Sequence, residues 1–189
     1  MNMTKTLLTL GALLSLTPSL AAHYQLEPEH TNARFYIDHF QTSTNHGGFY
    51  GLTGDVRYDP QNEIGSVSLI IPIQNLKSGS DAFDQHLKNS DLFDEAKYPD
   101  MRFISTQWQW ENHQPTRITG DLTLLGQTHP VTLTVERFNC YHSPIWQTEV
   151  CGGDFSAEID RTQWGMDFFV DKGMSKTVNI QIQAEAVKQ

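Results

Sequence analysis

The amino-acid sequence predicts an all-β protein, an antiparallel meander of eight strands interrupted by one short helix. Three observations carry this expectation. Apolar residues recur with period two over most of the chain, turn-forming residues punctuate the alternation, and a single stretch, FDQHLKNSDLFDEAKYPDMRF at 83–103, has helical spacing. A length of 189 residues with 38% hydrophobic content suits one domain with a real core, and excludes a disordered chain or a repeat array.

The chain opens on MNMTKTLLTLGALLSLTPSLAAHYQ, which combines one Lys, an apolar run over 7–16, a breaker at Pro18, and small residues Ser19 and Ala21 spaced for signal-peptidase cleavage. Residues 1–21 are therefore expected to be a signal peptide cleaved after Ala21, its apolar run being too short to span a bilayer. The leader has no Cys for lipid anchoring, and residues 22–189 are expected to form a single exported domain. Losing Lys5 and no acid moves the formal charge from −9 to −10, which argues against nucleic acid and against electrostatic docking on anionic lipid.

Strands are expected at 33–40, 52–59, 66–73 and 101–110, then around Ile118, Gly120, Leu122 and Leu124, around Val131, Leu133 and Val135, and around Phe155, Ala157 and Ile159. The last, TVNIQIQAEA, sets Val178, Ile180, Ile182 and Ala184 on one face and Asn179, Gln181, Gln183 and Glu185 on the other. Each strand has one dry face, to be buried against a second sheet or against the far wall of a closed barrel. Trp108 and Trp110 fall in the outward register of their strand.

Between the third and fourth strands lies the helical insert. Ser80 or Asp81 can cap it, Phe83 and Leu87 share a face at i and i+4, Leu92 and Phe93 follow on a short turn, and Pro99 stops it. It reads as a cap with an apolar underside of Phe83, Leu87 and Phe93.

Cys140 and Cys151 are the two cysteines of an exported chain, separated by a turn signal at Ser143 and Pro144, and are expected to form a disulfide across a hairpin. No Gly-x-Ser-x-Gly elbow and no HExxH or His-x-His spacing occurs, so neither a catalytic residue nor a metal ligand is assigned and no catalytic cofactor is expected.

At this point the residues resemble a known family. FDQHL, SDLFD and KYPDMRFIS follow the pattern of the YceI-like proteins, and so do ITGDLTLLGQTHPVTLTV, DRTQWGM, HTNARFYIDHF and GGFYGLTGDVRYDP, in the right order over nearly the whole exported domain. Two departures stand out: Trp164 replaces a usual Phe while keeping an aromatic plug, and Lys77, Ser78 and Gly79 replace a Thr-Gly pair.

The resemblance implies an extended, eight-stranded lipocalin-like β-barrel holding a polyprenyl chain or a ubiquinone-type isoprenoid quinone in an apolar tunnel, with no chemistry of its own; the residues alone leave open a ligand-free stress-response or interaction module with a filled core, or a lipid-acting enzyme using the same barrel. The alternation turns Phe35, Ile37, Leu69, Ile71, Phe103, Leu122, Leu124, Leu133, Phe155 and Ile180 inward, and with Phe83, Leu87, Phe93, Trp164 and Met166 they become the expected tunnel lining. His39, Asp84 and His86 are candidate head-group contacts. The implied setting is the periplasm, with transient contact to a membrane or membrane redox proteins, and a homodimer is a further expectation from the resemblance.

Overall fold

The computed structural model describes residues 21–189, so the expected leader lies outside the described residues except for Ala21. In chain order the elements are β1 (Ala22–Leu26), β2 (Asn32–His39), β3 (Ser43–Tyr50), β4 (Thr53–Asp59), β5 (Ile64–Pro72), β6 (Leu76–Lys77), α1 (Asp81–Leu87), β7 (Asp100–Glu111), β8 (Gln114–Leu124), β9 (Gln127–His142), β10 (Glu149–Asp160) and β11 (Thr177–Lys188).

These segments build eight antiparallel walls, three of them broken. β1 and β2 run end to end along β11, β3 and β4 lie end to end along that pair, and β5 and β6 continue the next wall. From β7 to β11 each strand pairs with its neighbour in sequence, and the β1–β11 pairing closes the ring. Closure leaves no long free edge. The expected strand at 33–40 is the second half of the first wall. β1 and β3 had escaped expectation because AHYQL is short and STNHGGFY carries turn residues through a paired strand.

The first wall breaks where EPEHT jogs outward. Pro28 has no N–H to give a ladder, and the Glu27 carboxylate accepts instead from the backbone N–H groups of Glu29 and His30, while Thr31 exchanges hydrogen bonds with the Glu185 backbone. The hairpins close tightly. Asn112 and His113, then Leu125 and Gly126, take paired left-handed φ values of 51° and 63° and of 51° and 72°, the turn that matches strand twist.

Trp108 and Trp110 are not on the outside as the sequence register predicts. β7 carries a bulge between Ser105 and Gln107, and one extra residue flips every later side chain to the opposite face. Both indoles therefore point into the end of the barrel remote from α1. There Trp110 stacks on Tyr58 at 5.7 Å and on Trp108 at 5.6 Å, and Tyr58 lies 5.1 Å from Phe138. Gly65 makes room for this plug, since a Cβ there would sit 2.3 Å from the Trp108 ring. Beside it Cys140 and Cys151, directly opposed across β9 and β10, are joined by a disulfide. We call this end the base.

Candidate functional site

Between the base plug and α1 the barrel encloses an apolar cavity of about 350 Å³, within the roughly 300–1,000 Å³ span of small-molecule sites. Phe35, Ile37, Leu69, Ile71, Phe103, Leu122, Leu124, Leu133, Met166 and Ile180 line it from the walls and the loop after β10, and Phe83, Leu87 and Phe93 line it from the cap.

Two expected lining residues do not face it. Phe155 shares the inward face of Ile159 but packs into the surrounding core rather than against the cavity. Trp164, 1% exposed, is a plug in the wall: its indole N–H donates to the Leu122 carbonyl at 3.0 Å and its ring meets His129 edge-on at 5.2 Å.

The cap sits where its sequence places it. The Ser80 hydroxyl accepts from the Phe83 N–H, starting α1, and the chain past Leu87 folds back through hydrogen bonds from Phe93 N to Leu87 O and from Glu95 N to Lys88 O. This brings Phe93 over the barrel, 5.2 Å from Phe49 and 6.3 Å from Phe35. Asp84 is not a cavity residue. Its carboxylate turns back to accept both the N–H and the hydroxyl of Ser78 at 2.6 Å, with Lys77 Nζ at 3.6 Å, and so latches the cap to β6. These donors, the Ser78 hydroxyl foremost, hold its pKa below the ordinary 3.8 against the opposing pull of burial.

The second half of the mouth is the connection 161–176 between β10 and β11. Asp160 caps its first turn by accepting from the Thr162 N–H and hydroxyl, and it pairs with Lys176 at 2.9 Å at the far side, which together lower the Asp160 pKa to about 2. Arg161, 3% exposed, donates to the carbonyls of Ser175, Met166 and Phe168, each at 2.9 Å, and so ties the connection into one piece. Burial pulls its pKa down, against the attraction of Asp167 and Asp160.

His39, Asn45 and His86 border the cavity at the mouth, and the lining surface itself is almost wholly hydrocarbon. Among the described residues the side chains of His39, Asn45 and His86 make no hydrogen bond; His86 meets Phe168 edge-on at 5.6 Å. A neutral imidazole offers one donor and one acceptor, and a carboxamide both, so this end can address a polar group while the rest takes a hydrophobic body. Among the described residues no group of three or more His, Cys, Asp or Glu is placed to hold a metal ion, and no helix is long and apolar enough to cross a membrane.

Asn45, Phe49, Phe168, Phe169 and Met174 also line the cavity and were not legible as such. Asn45 and Phe49 belong to a strand disguised by glycines, and the other three lie in an aperiodic connection. Its length was the available signal, since hairpin links usually run to about 2–5 residues.

A closed antiparallel barrel, plugged by aromatics at the base and capped by a helix over an apolar cavity, defines the class of hollow lipocalin-like β-barrels. Within that class the chain belongs to the YceI-like family, whose domain matches residues 24–186. A UPF0312 protein of Pseudomonas putida is 32% identical over 96% of this chain and 95% of its own length. Among solved structures, BcnA of Burkholderia cenocepacia shares the fold with a TM-score of 0.67 at 19% identity, covering 86% of this chain and 99% of that one. A polyisoprenoid binding domain from Saccharophagus degradans aligns with a TM-score of 0.64 at 13% identity, over 89% of this chain and 99% of that one.

Proposed function

We propose that this protein is a periplasmic carrier or sequestering protein that holds an isoprenoid lipid, a polyprenyl chain or a ubiquinone-type quinone, in its barrel and performs no chemistry on it. The observation that carries this reading is the cavity itself: about 350 Å³ lined by aliphatic and aromatic side chains, with His39, Asn45 and His86 bordering its mouth. A branched hydrocarbon tail gains roughly 25 cal/mol per Å² of apolar surface on leaving water.

The tail lies against Leu69, Ile71, Leu122, Leu124, Leu133 and Ile180, with the cap residues Phe83, Leu87 and Phe93 over it. The head group meets His39 and His86 at the mouth, with Asn45 beside them. The family resemblance and the polyisoprenoid binding domain from Saccharophagus degradans support this choice of cargo. The leader-like N-terminus and the disulfide support an oxidising compartment.

The test is direct. The protein is expressed with its leader, purified from the periplasm without detergent, extracted into organic solvent and weighed by mass spectrometry. A stoichiometric isoprenoid in the extract establishes the carrier reading and names the cargo. A clean extract that stays clean after incubation with quinone-loaded vesicles overturns it.

A further inference from the structure

The apolar lining does not stop inside the barrel. Phe169 borders the cavity and is also 48% exposed, so the hydrophobic surface runs out onto the rim of the mouth. Phe40, at the β2–β3 turn, likewise lines the cavity and adjoins the 161–176 connection: a Cβ on Gly173 would sit 3.7 Å from its ring. Both phenylalanines have left-handed backbones, Phe40 with φ 55° and Phe169 with φ 58°, a conformation that bulky side chains rarely adopt.

The conformation at Phe169 is enforced. Its carbonyl accepts from the N–H groups of Lys172 and Met174, and its ring stacks on Phe168 at 4.0 Å, whose own carbonyl is held by Arg161. These contacts hold the Phe169 ring at the lip, a preorganised arrangement.

The charges around the wedge decide what it fits. Lys172 is paired with Asp171 at 2.7 Å and Lys176 with Asp160 at 2.9 Å, so the rim has little free cationic character, and the whole chain carries a formal charge of −9. Such a surface gains nothing from anionic headgroups. It suits the interface of a zwitterionic bilayer, where exposed aromatic rings bury their hydrocarbon among acyl chains.

We propose that Phe40 and Phe169 form a rigid wedge that seats the mouth on a zwitterionic lipid surface, so that a hydrophobic cargo moves between bilayer and cavity without crossing water. This rests on the lipid-binding reading above, and its test separates the two.

Flotation of the leader-free protein with phosphatidylcholine vesicles measures docking. Uptake of diphenylhexatriene in vesicle-free solution measures the cavity. Phe169→Asn and Phe40→Asn suit the test because Asn tolerates left-handed backbone, and thermal melting confirms that each variant is folded. The wild type floats with the vesicles, and each substitution lowers its partition coefficient about tenfold, equivalent to about 1.4 kcal/mol. The double variant Ile145→Ser with Trp146→Ser, at the exposed base hairpin, floats as the wild type does. Replacing part of the phosphatidylcholine with phosphatidylglycerol weakens flotation.

Docking is overturned if the wild type stays with the vesicle-free fraction, or if the base variant loses flotation while the phenylalanine variants keep it, which would point to a different face. Vesicle docking without probe uptake would sink the carrier reading and leave the wedge standing. Probe uptake without docking would do the reverse.

Discussion

Leu133→Trp tests whether the barrel interior is a cavity or a packed core. Leu133 points from β9 into the cavity and is 7% exposed. In a close-packed core the added ring would force neighbours off their rotamers at about 1–3 kcal/mol, a fall of roughly 2–12 °C in Tm for a domain of this size. Here about 350 Å³ adjoins the side chain, so the indole has somewhere to go and Tm should move by no more than about 2 °C.

The cost falls on the ligand. Displacing one five-carbon isoprenoid unit, at about 0.8 kcal/mol per buried carbon, forfeits about 4 kcal/mol, close to a thousandfold in Kd. Thermal melting and titration with a fluorescent isoprenoid analogue read the two effects separately. A Tm loss above about 5 °C with unchanged Kd would refute the reasoning, because it would mean that the space is closed in solution and the ligand, if any, binds elsewhere.

Other perturbations have equally definite outcomes. Asp84→Asn replaces a charged acceptor of two short hydrogen bonds from Ser78 and should loosen the cap by about 1–3 kcal/mol, read as faster proteolysis within 78–99. Asp84 and Asp160 both have folded-state pKa values below their unfolded ones, so their ionised forms stabilise the fold at neutral pH. That stability drains as pH drops below about 4 and through the folded values, and acid titration of the melting temperature should show the decline there and none between pH 5 and 7 from these groups. Gly65→Val would drive a side chain into the Trp108 ring and unseat the base plug, lowering stability by about 1–3 kcal/mol and red-shifting the Trp emission. Replacing Cys140 and Cys151 together by Ser opens a cross-link with a sequence separation of 11, and should cost about 2–3 kcal/mol, or roughly 5–10 °C.

Where the sequence repeats with period two, it announces the structure: TVNIQIQAEA becomes β11 with Ile180 facing the cavity, and the FDQHL segment becomes a capped helix with Phe83 and Leu87 underneath. Legibility fails at three physical boundaries. One is the bulge in β7, because a single unpaired residue reverses the face of Trp108 and Trp110 while leaving the local alternation intact. Another is Asp84, whose spacing on the helix says nothing about the Ser78 donors that turn it away from the cavity. The third is the connection 161–176, where Arg161 gathers carbonyls from residues 5, 7 and 14 positions away, a pattern with no period to detect. The mouth is built from the last two of these pieces, so much of the apolar cavity lining could be read from the sequence and the rim could not.

The seam between β1 and β11 sets the order of assembly. β2 belongs to the same seam, and every remaining pairing in the ring joins walls adjacent in the chain and so closes shorter loops, whereas Tyr24 with Lys188, Leu26 with Ala186 and Ile37 with Val178 join opposite ends of it. Loop-closure entropy grows with the length enclosed, and non-local strand pairing is slow for that reason. The seam is thus the last contact to form, and until it does the barrel is an open, curled sheet whose apolar face lies in water. A cargo present at that moment would be wrapped rather than threaded, and it would hold the seam shut afterwards. Amide exchange at Ala186 and Val187 should slow on loading more than exchange in β8, which is framed on both sides by neighbouring strands whatever the seam does.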